Sequence, residues 1–223
     1  MTQKARLLWS SNAPWANSGY GIQGRSLLWR LANLPVFVIS DEIYHGLIYE
    51  GEEHSMLEFT DRAFVLNGFS KLYAMTGWRL GYVIAPKKFV RAMQKLQQNL
   101  FISASSFAQW AGISALKNAG KDVKKMVTIF NQRRLYMVNR LRELGFGIKV
   151  LPTGAFYVLA NAKKFSENSY EFAFKILREA KVAVTPGIDF GTNAEGYIRF
   201  SYSNSIENIK EGMRRIEKFI KKI

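Results

Sequence analysis

Lys71 and Arg79 stand eight residues apart in the stretch Asn67–Tyr82, NGFSKLYAMTGWRLGY, and no other residue there is charged. A lysine at the end of a buried strand usually snorkels to solvent along its own stem. The flanks of Lys71 point elsewhere. RAFVLNGFS (Arg62–Ser70) reads as a buried strand ending in small residues, and WRLGYVIAP (Trp78–Pro86) as a second strand closed by proline. Lys71 is therefore expected on a loop leaving a strand, where α/β proteins place their chemistry. Desolvation among apolar groups disfavours the charged amine. A neutral amine attacks carbonyls, which is Schiff-base chemistry.

VFVISDEIYHGLIYEG (Val36–Gly51) supplies partners for such an amine. Five residues read as a fully buried strand, Asp41 follows, and Tyr44 lies three residues on. Alone, Asp41 would read as a helix cap or turn acid. With Lys71 and Arg79 it completes a set. A cofactor with an aldehyde, a ring nitrogen that holds a proton, a phenolic oxygen and a phosphate needs a lysine, a carboxylate, a tyrosine and an arginine. Pyridoxal 5'-phosphate is that cofactor.

From about Leu34 onward the chain resembles the class I/II aminotransferases of the aspartate aminotransferase superfamily. SDEIYHGLIYEG, NGFSKLYAMTGWRLGY, PTGAFYVL and VTPGIDFGTNAEGYIRFSYS carry the resemblance, in family order. It implies that Lys71 is the catalytic lysine holding the cofactor and that Asp41 faces the ring nitrogen. Tyr44 would bond the phenolic oxygen, Ser70 and Arg79 the phosphate, and Arg199 the substrate's α-carboxylate. Many members carry a phosphate-binding serine three residues before the lysine; here that position is Gly68, as in other subgroups. The resemblance further implies transfer of an amino group from an amino acid to a 2-oxo acid by a homodimeric, cytoplasmic enzyme. The implied fold is α/β, an incomplete fold-type I transferase with a partial large-domain sheet and a small C-terminal α/β domain.

The residues themselves say less about Arg199. EGYIRFSYS alternates like a strand and puts Arg199 on the face opposite Ile198 and Phe200. A guanidinium fork fits a carboxylate bidentately, although an exposed strand arginine has the same pattern. Gly154, in LPTGAFYVL, reads as a turn glycine beside the substrate or in an ordinary hairpin.

These residues need elements to hold them. The chain has 223 residues, 48% of them hydrophobic, enough for a core of one or two domains. No apolar run reaches membrane-span length, and the start lacks a secretory signal. Cysteine is absent and there are two histidines, which excludes disulfides, thiolate chemistry and a histidine-rich metal site. The net charge is +15. Bases concentrate on a helix expected over about Lys121–Leu144, read as a solvated face. Such a charge attracts polyanions, but the chain shows no nucleic-acid motif, so neither nucleic acid nor membrane is expected as a partner.

Along the chain, APKKFVRAMQKLQQN reads as an amphipathic helix begun at Pro86 and Lys87, and SSFAQWAGISALKNAG as a helix with a serine cap, closed by Gly120. After Gly145 the pattern is strand, turn, strand, helix (Tyr170–Ala180), strand, the TPGIDFG loop, strand, and a helix over Ser205–Lys222. The expected domains are a foreign segment 1–33, a partial cofactor-binding domain 34–120, a connecting helix 121–144 and a small domain 145–223.

The first 33 residues resemble the start of two-Rossmann-domain glycosyltransferases: a strand at Arg6–Ser10, Gly19 and Gly21 in a loop, and a helix over Ile22–Ala32. A plain βα connection fits equally. Against full-length aminotransferases, the upstream part that supplies a helix N-terminus for the phosphate, a ring-stacking aromatic and a cross-subunit tyrosine has no counterpart here. The expectation is therefore an aminotransferase by descent with impaired cofactor binding. The alternatives are an inactive remnant serving as a basic interaction module, and a glycosyltransferase fragment.

Overall fold

In the computed structural model, which describes residues 6–10 and 36–223, the chain divides into two compact units, Met1–Lys125 and Met126–Ile223. The first unit is built on a four-stranded sheet in the order β1 (Arg6–Ser10), β2 (Val36–Asp41), β3 (Ala63–Gly68), β4 (Gly81–Ile84). β1, β2 and β3 run parallel and β4 antiparallel to β3. The expected strand Arg6–Ser10 is present; the glycine loop and helix expected after it lie outside the described residues.

Alternation along β2 and β3 sends side chains to two faces. Val38, Ala63 and Val65 pack with Met56 on one face, each at most 2% exposed. On the other, the rings of Phe37 and Phe64 meet Phe89 with centroids 5.1 and 5.2 Å away. Phe89 belongs to α1 (Lys87–Leu100), which follows Pro86 as its N-cap residue. Both faces of β2 and β3 are thus covered, as their apolar sequence requires.

The strand expected over Trp78–Pro86 is shorter. Only Gly81–Ile84 pairs, because β3 ends at Gly68, whose partner is Gly81. Upstream, Thr76–Trp78 winds into a 3-10 turn and Arg79 adopts left-handed angles (φ 53°, ψ 47°). α2 spans Ser106–Asn118; its N-cap residue Ser105 makes no side-chain cap bond. Gly120 does not close α2. It opens α3 (Gly120–Glu143), and the Val123 amide bonds the Ala119 carbonyl at 2.9 Å, so one helix follows the other almost without a break.

The second unit holds most of α3, an antiparallel sheet in the order β5 (Tyr157–Asn161), β7 (Tyr197–Ser201), β6 (Thr185–Pro186), and the helices α4 (Ser169–Ala180) and α5 (Ile206–Ile220). Its core joins Leu141 of α3, Val158 and Ala160 of β5, Ile198 and Phe200 of β7, Ile176 of α4 and Ile216 of α5, all buried. Asn168 and Ser205 cap α4 and α5 by accepting the Glu171 and Asn208 amides. The strand expected just after Gly145 is reduced to a single bridge, Gly147 with Asn161. Gly145 (φ 92°) and Pro152 bracket too short a run for a ladder. The basic face of α3 is also not wholly solvated. Arg134 is 1% exposed; its Nε donates to Asn131 Oδ1 at 2.9 Å and its Nη1 to the Pro152 carbonyl at 2.6 Å.

Candidate active site

The C-terminal ends of β2 and β3 lie side by side, with Asp41 in register with Leu66. Parallel strands bring their carboxyl ends to one edge, and the connections leaving that edge carry the candidate residues. Asp41 is half-buried, and its Oδ1 accepts the Ile43 amide at 3.1 Å, which turns the chain out of the strand. Its second oxygen has no hydrogen-bond partner among the described residues and can take one from a ligand. Tyr44 follows in that turn, and its carbonyl accepts the Leu47 amide at 2.9 Å.

β3 delivers Ser70 and Lys71 two and three residues beyond its end, both half-buried. Lys71 Nζ lies over the Tyr44 ring, 5.8 Å from its centroid. The structure thereby brings together an amine and a phenol 27 positions apart in the chain. Arg79, on the same β3–β4 connection, is exposed, and its Nη1 donates to the Thr76 carbonyl at 2.8 Å. Its left-handed backbone turns the chain back into β4. Gly68 has a packing reason: a Cβ there would meet the Gly81 Cα and the Leu80 carbonyl oxygen at 3.0 Å. A serine there would need the neighbouring strand to give by a few tenths of an ångström.

Arg199 and Gly154 belong to the second unit. Arg199 sits on the central strand β7, opposite Leu159 and Thr185. Ile198 and Phe200 point into the core, and Arg199 points to the other face. Its guanidinium carbon lies over two rings, 4.3 Å from the Tyr157 centroid and 4.4 Å from that of Phe190. An arginine held against aromatic rings keeps its N–H edge for other partners. Among the described residues that edge has neither an ion pair nor a hydrogen bond. Gly154 lies in the turn before β5, but the left-handed residue there is Ala155 (φ 57°). The Ala155 carbonyl accepts the Tyr202 hydroxyl at 3.1 Å.

Sequence reading missed Tyr157 and Phe190. Tyr157 carries a usable signal: in the β5–β7 pair it lies two places from Leu159, which faces Arg199. Phe190 ends a 3-10 turn, Gly187–Phe190, and has no periodicity to betray it.

The donor set suits a phosphorylated pyridine aldehyde: an amine beside a phenol, a carboxylate with a free oxygen, and a hydroxyl and a guanidinium on one connection. Comparison with known proteins gives the family. The family model for aminotransferase class I and II matches residues 25–216. This match begins nine residues before Leu34, inside the segment expected to be foreign. The chain is 47% identical over 194 residues to the (5-formylfuran-3-yl)methyl phosphate transaminase of Methanocaldococcus jannaschii, covering 85% of this chain and 51% of the relative. It is 43% identical over 188 residues to an aspartate aminotransferase of Pyrococcus horikoshii, covering 82% and 48%. Among solved structures, the aromatic aminotransferase from Pyrococcus horikoshii superposes with a TM-score of 0.89 at 34% identity, over 100% of this chain and 61% of that one. The chain belongs to the class I and II aminotransferases, a family of transferases, and its fold is part of the fold-type I architecture. It spans about half the length of the curated relatives it matches.

Proposed function

We propose that the protein transfers amino groups between an amino acid and a 2-oxo acid with pyridoxal 5'-phosphate as cofactor. The placement of Lys71 Nζ over the Tyr44 ring, beside the strand end that carries Asp41, is the observation on which this rests. When bound, the cofactor supplies an electron sink for the carbon that loses its proton. Lys71 would hold the cofactor's aldehyde carbon through Nζ, and the same atom, when free of it, would be the base that moves the substrate's α-proton. Asp41 keeps a proton on the ring nitrogen with the carboxylate oxygen that Ile43 leaves open. Tyr44 donates its hydroxyl to the phenolic oxygen. Ser70 and Arg79 receive the phosphate, the arginine as a charge-assisted donor. Arg199 takes the substrate's α-carboxylate on its open edge, with Tyr157 and Phe190 fixing the plane of the fork. Gly154 leaves room beside the substrate.

Titration with pyridoxal phosphate, followed by borohydride reduction and peptide mapping, tests the reading. The expected result is a visible absorbance band and a reduced adduct on the peptide carrying Lys71. The adduct should be absent from Lys71→Ala. Label on another lysine, persisting in Lys71→Ala, would remove Lys71 from its role. A second reading, an inactive aminotransferase relative acting as a basic interaction module, draws on the apolar residues that α1 and α2 leave exposed. It predicts no band at all.

A further inference from the structure

Between Asp41 and Tyr44 stands a residue to which the proposed chemistry gives no part. The Glu42 side chain is 7% exposed, among the few buried charged groups of the described residues. Its Oε1 accepts three hydrogen bonds: from Ser40 Oγ at 3.1 Å, Ser55 Oγ at 3.2 Å and the Met56 amide at 2.8 Å. Its own amide donates to the Leu66 carbonyl at 2.8 Å and extends the β2–β3 ladder by one bond. Its Oε2 lies 3.9 Å from His45 Nδ1, and His45 Nε2 lies 3.6 Å from Glu53 Oε2.

These contacts close a loop. Ser55 is the N-cap of the 3-10 turn Met56–Glu58, and a capping box with Glu58 orders it. Met56 is buried in the β-sheet core with Val38 and Val65. Glu42 therefore ties the end of β2 to a turn anchored in the core, with residues 43–54 spanning the gap. Glu53 Oε1 accepts the Gly46 amide at 2.5 Å and adds a second tie within the span. On its far side, Gly46 (φ 89°) packs so closely that a Cβ would meet Leu72 Cδ1 at 2.6 Å, one residue after Lys71. The segment carrying Tyr44 is thus held between the Glu42 clamp and the residue next to Lys71.

We propose that Glu42 is a positioning residue for the cofactor site: by clamping Ser55 and Met56 to the end of β2, it sets the directions of Asp41 and Tyr44 relative to Lys71. The proposal rests on the aminotransferase reading for what is positioned, and on the hydrogen bonds alone for the clamp. Without the carboxylate, the buried Met56 amide loses its acceptor and the loop loses its tie to the strand end. A glutamine keeps an oxygen at the Oε1 position, so the geometry survives without the charge.

The test compares the full chain with Glu42→Ala, Glu42→Gln and Val65→Ala. The last loosens the core on which Met56 packs but removes none of the clamp's hydrogen bonds. Amide exchange is measured without cofactor. Glu42→Ala should exchange at Met56 and across 43–47 about tenfold or more faster, the loss of one charged hydrogen bond, while Glu42→Gln stays near wild type. Pyridoxal phosphate titration then reads the site. Glu42→Ala should bind about tenfold more weakly and lose most of the induced circular dichroism of the bound cofactor, with rescue by Glu42→Gln. Val65→Ala should lower the melting temperature yet keep that dichroism. Unchanged exchange at Met56 in Glu42→Ala would overturn the clamp. Equal losses of dichroism in Glu42→Ala and Val65→Ala would overturn positioning in favour of simple stability. If the wild-type chain binds no cofactor, the aminotransferase reading and the positioning role fall together, and the exchange result decides whether the clamp itself stands.

Discussion

Arg199 shows how a single side chain can be prepared for one kind of ligand. Its guanidinium carbon lies over two rings, at 4.3 and 4.4 Å from their centroids, and its edge has no partner among the described residues. A planar fork held this way offers two parallel N–H bonds to a carboxylate. Lysine, a point charge on a flexible stem, offers neither the plane nor the stacking. Arg199→Lys should therefore weaken amino-acid binding by about 1.5–3 kcal/mol, the range of a charged hydrogen bond, and leave pyridoxal phosphate affinity nearly unchanged. Separate titrations with cofactor and with amino acid give the two numbers. A fall in cofactor affinity with substrate affinity intact would assign Arg199 to the wrong ligand. The alternation of YIRFS in the sequence was enough to place Arg199 on the face away from the core. The stack was not legible, because Phe190 reaches it from a 3-10 turn and only the tertiary fold sets that approach. Lys71 and Tyr44 were legible as types, but their approach to 5.8 Å depends on two parallel strands ending together.

At the scale of elements, carboxylates hold local partners on α5 and at the start of α4. Glu211 on α5 accepts from Arg214 Nε and Nη2 at 2.7 and 2.6 Å and from Arg215 Nε at 2.8 Å. Arg214 first, then Arg215, hold its carboxyl down at about 2. Before α4, the Ser169 amide and hydroxyl, with the Gly196 amide, hold Glu195 below the usual carboxylate range. The sign follows from linkage. A carboxyl lowered in the folded state binds its proton more readily when unfolded, so its contribution is complete above the usual value of 4.5 and disappears as pH falls through the folded value. The melting temperature of the second unit should thus decline between about pH 4.5 and pH 2, and Glu211→Gln should make that decline shallower. Calorimetry at low salt measures both; an unchanged slope in Glu211→Gln would show that the pairs contribute nothing to the fold. Helix starts were readable at Pro86 and Ser205, each a local signal, while the cap at Asn168 was not read and that helix begins at Ser169, one residue before the expected Tyr170. Burial of Arg134 was not, since its Nη1 bonds the carbonyl of Pro152, 18 residues away, and no helical period encodes that contact.

At the scale of the whole molecule, charge and apolar surface oppose each other. The chain carries +15, and from Arg62 to Lys121 it contains neither Asp nor Glu. The same stretch exposes Leu100, Phe101, Ile102, Phe107 and Trp110, with Phe101 at 69%, Ile102 at 83% and Trp110 at 72%. All four residues of β4 are exposed, and among the described residues β4 pairs with β3 alone. Large exposed apolar side chains and a strand edge without a second partner each favour association. Like charge on every copy resists it. Salt decides between them, because at about 0.15 M ionic strength the screening length is near 8 Å and repulsion between copies falls while apolar burial does not. The 223-residue polypeptide should therefore be monomeric when dilute at low salt and should associate as concentration and salt rise. Sedimentation velocity over a salt series checks the trend, with Ile102→Lys and Trp110→Gln expected to shift association to higher concentration. Both side chains are largely exposed, so their replacement should leave the fold and the cofactor absorbance unchanged. A monomer at every salt concentration would mean that repulsion dominates throughout. Association that weakens with salt would mean that ion pairs, and not the apolar residues of α1 and α2, bring the copies together.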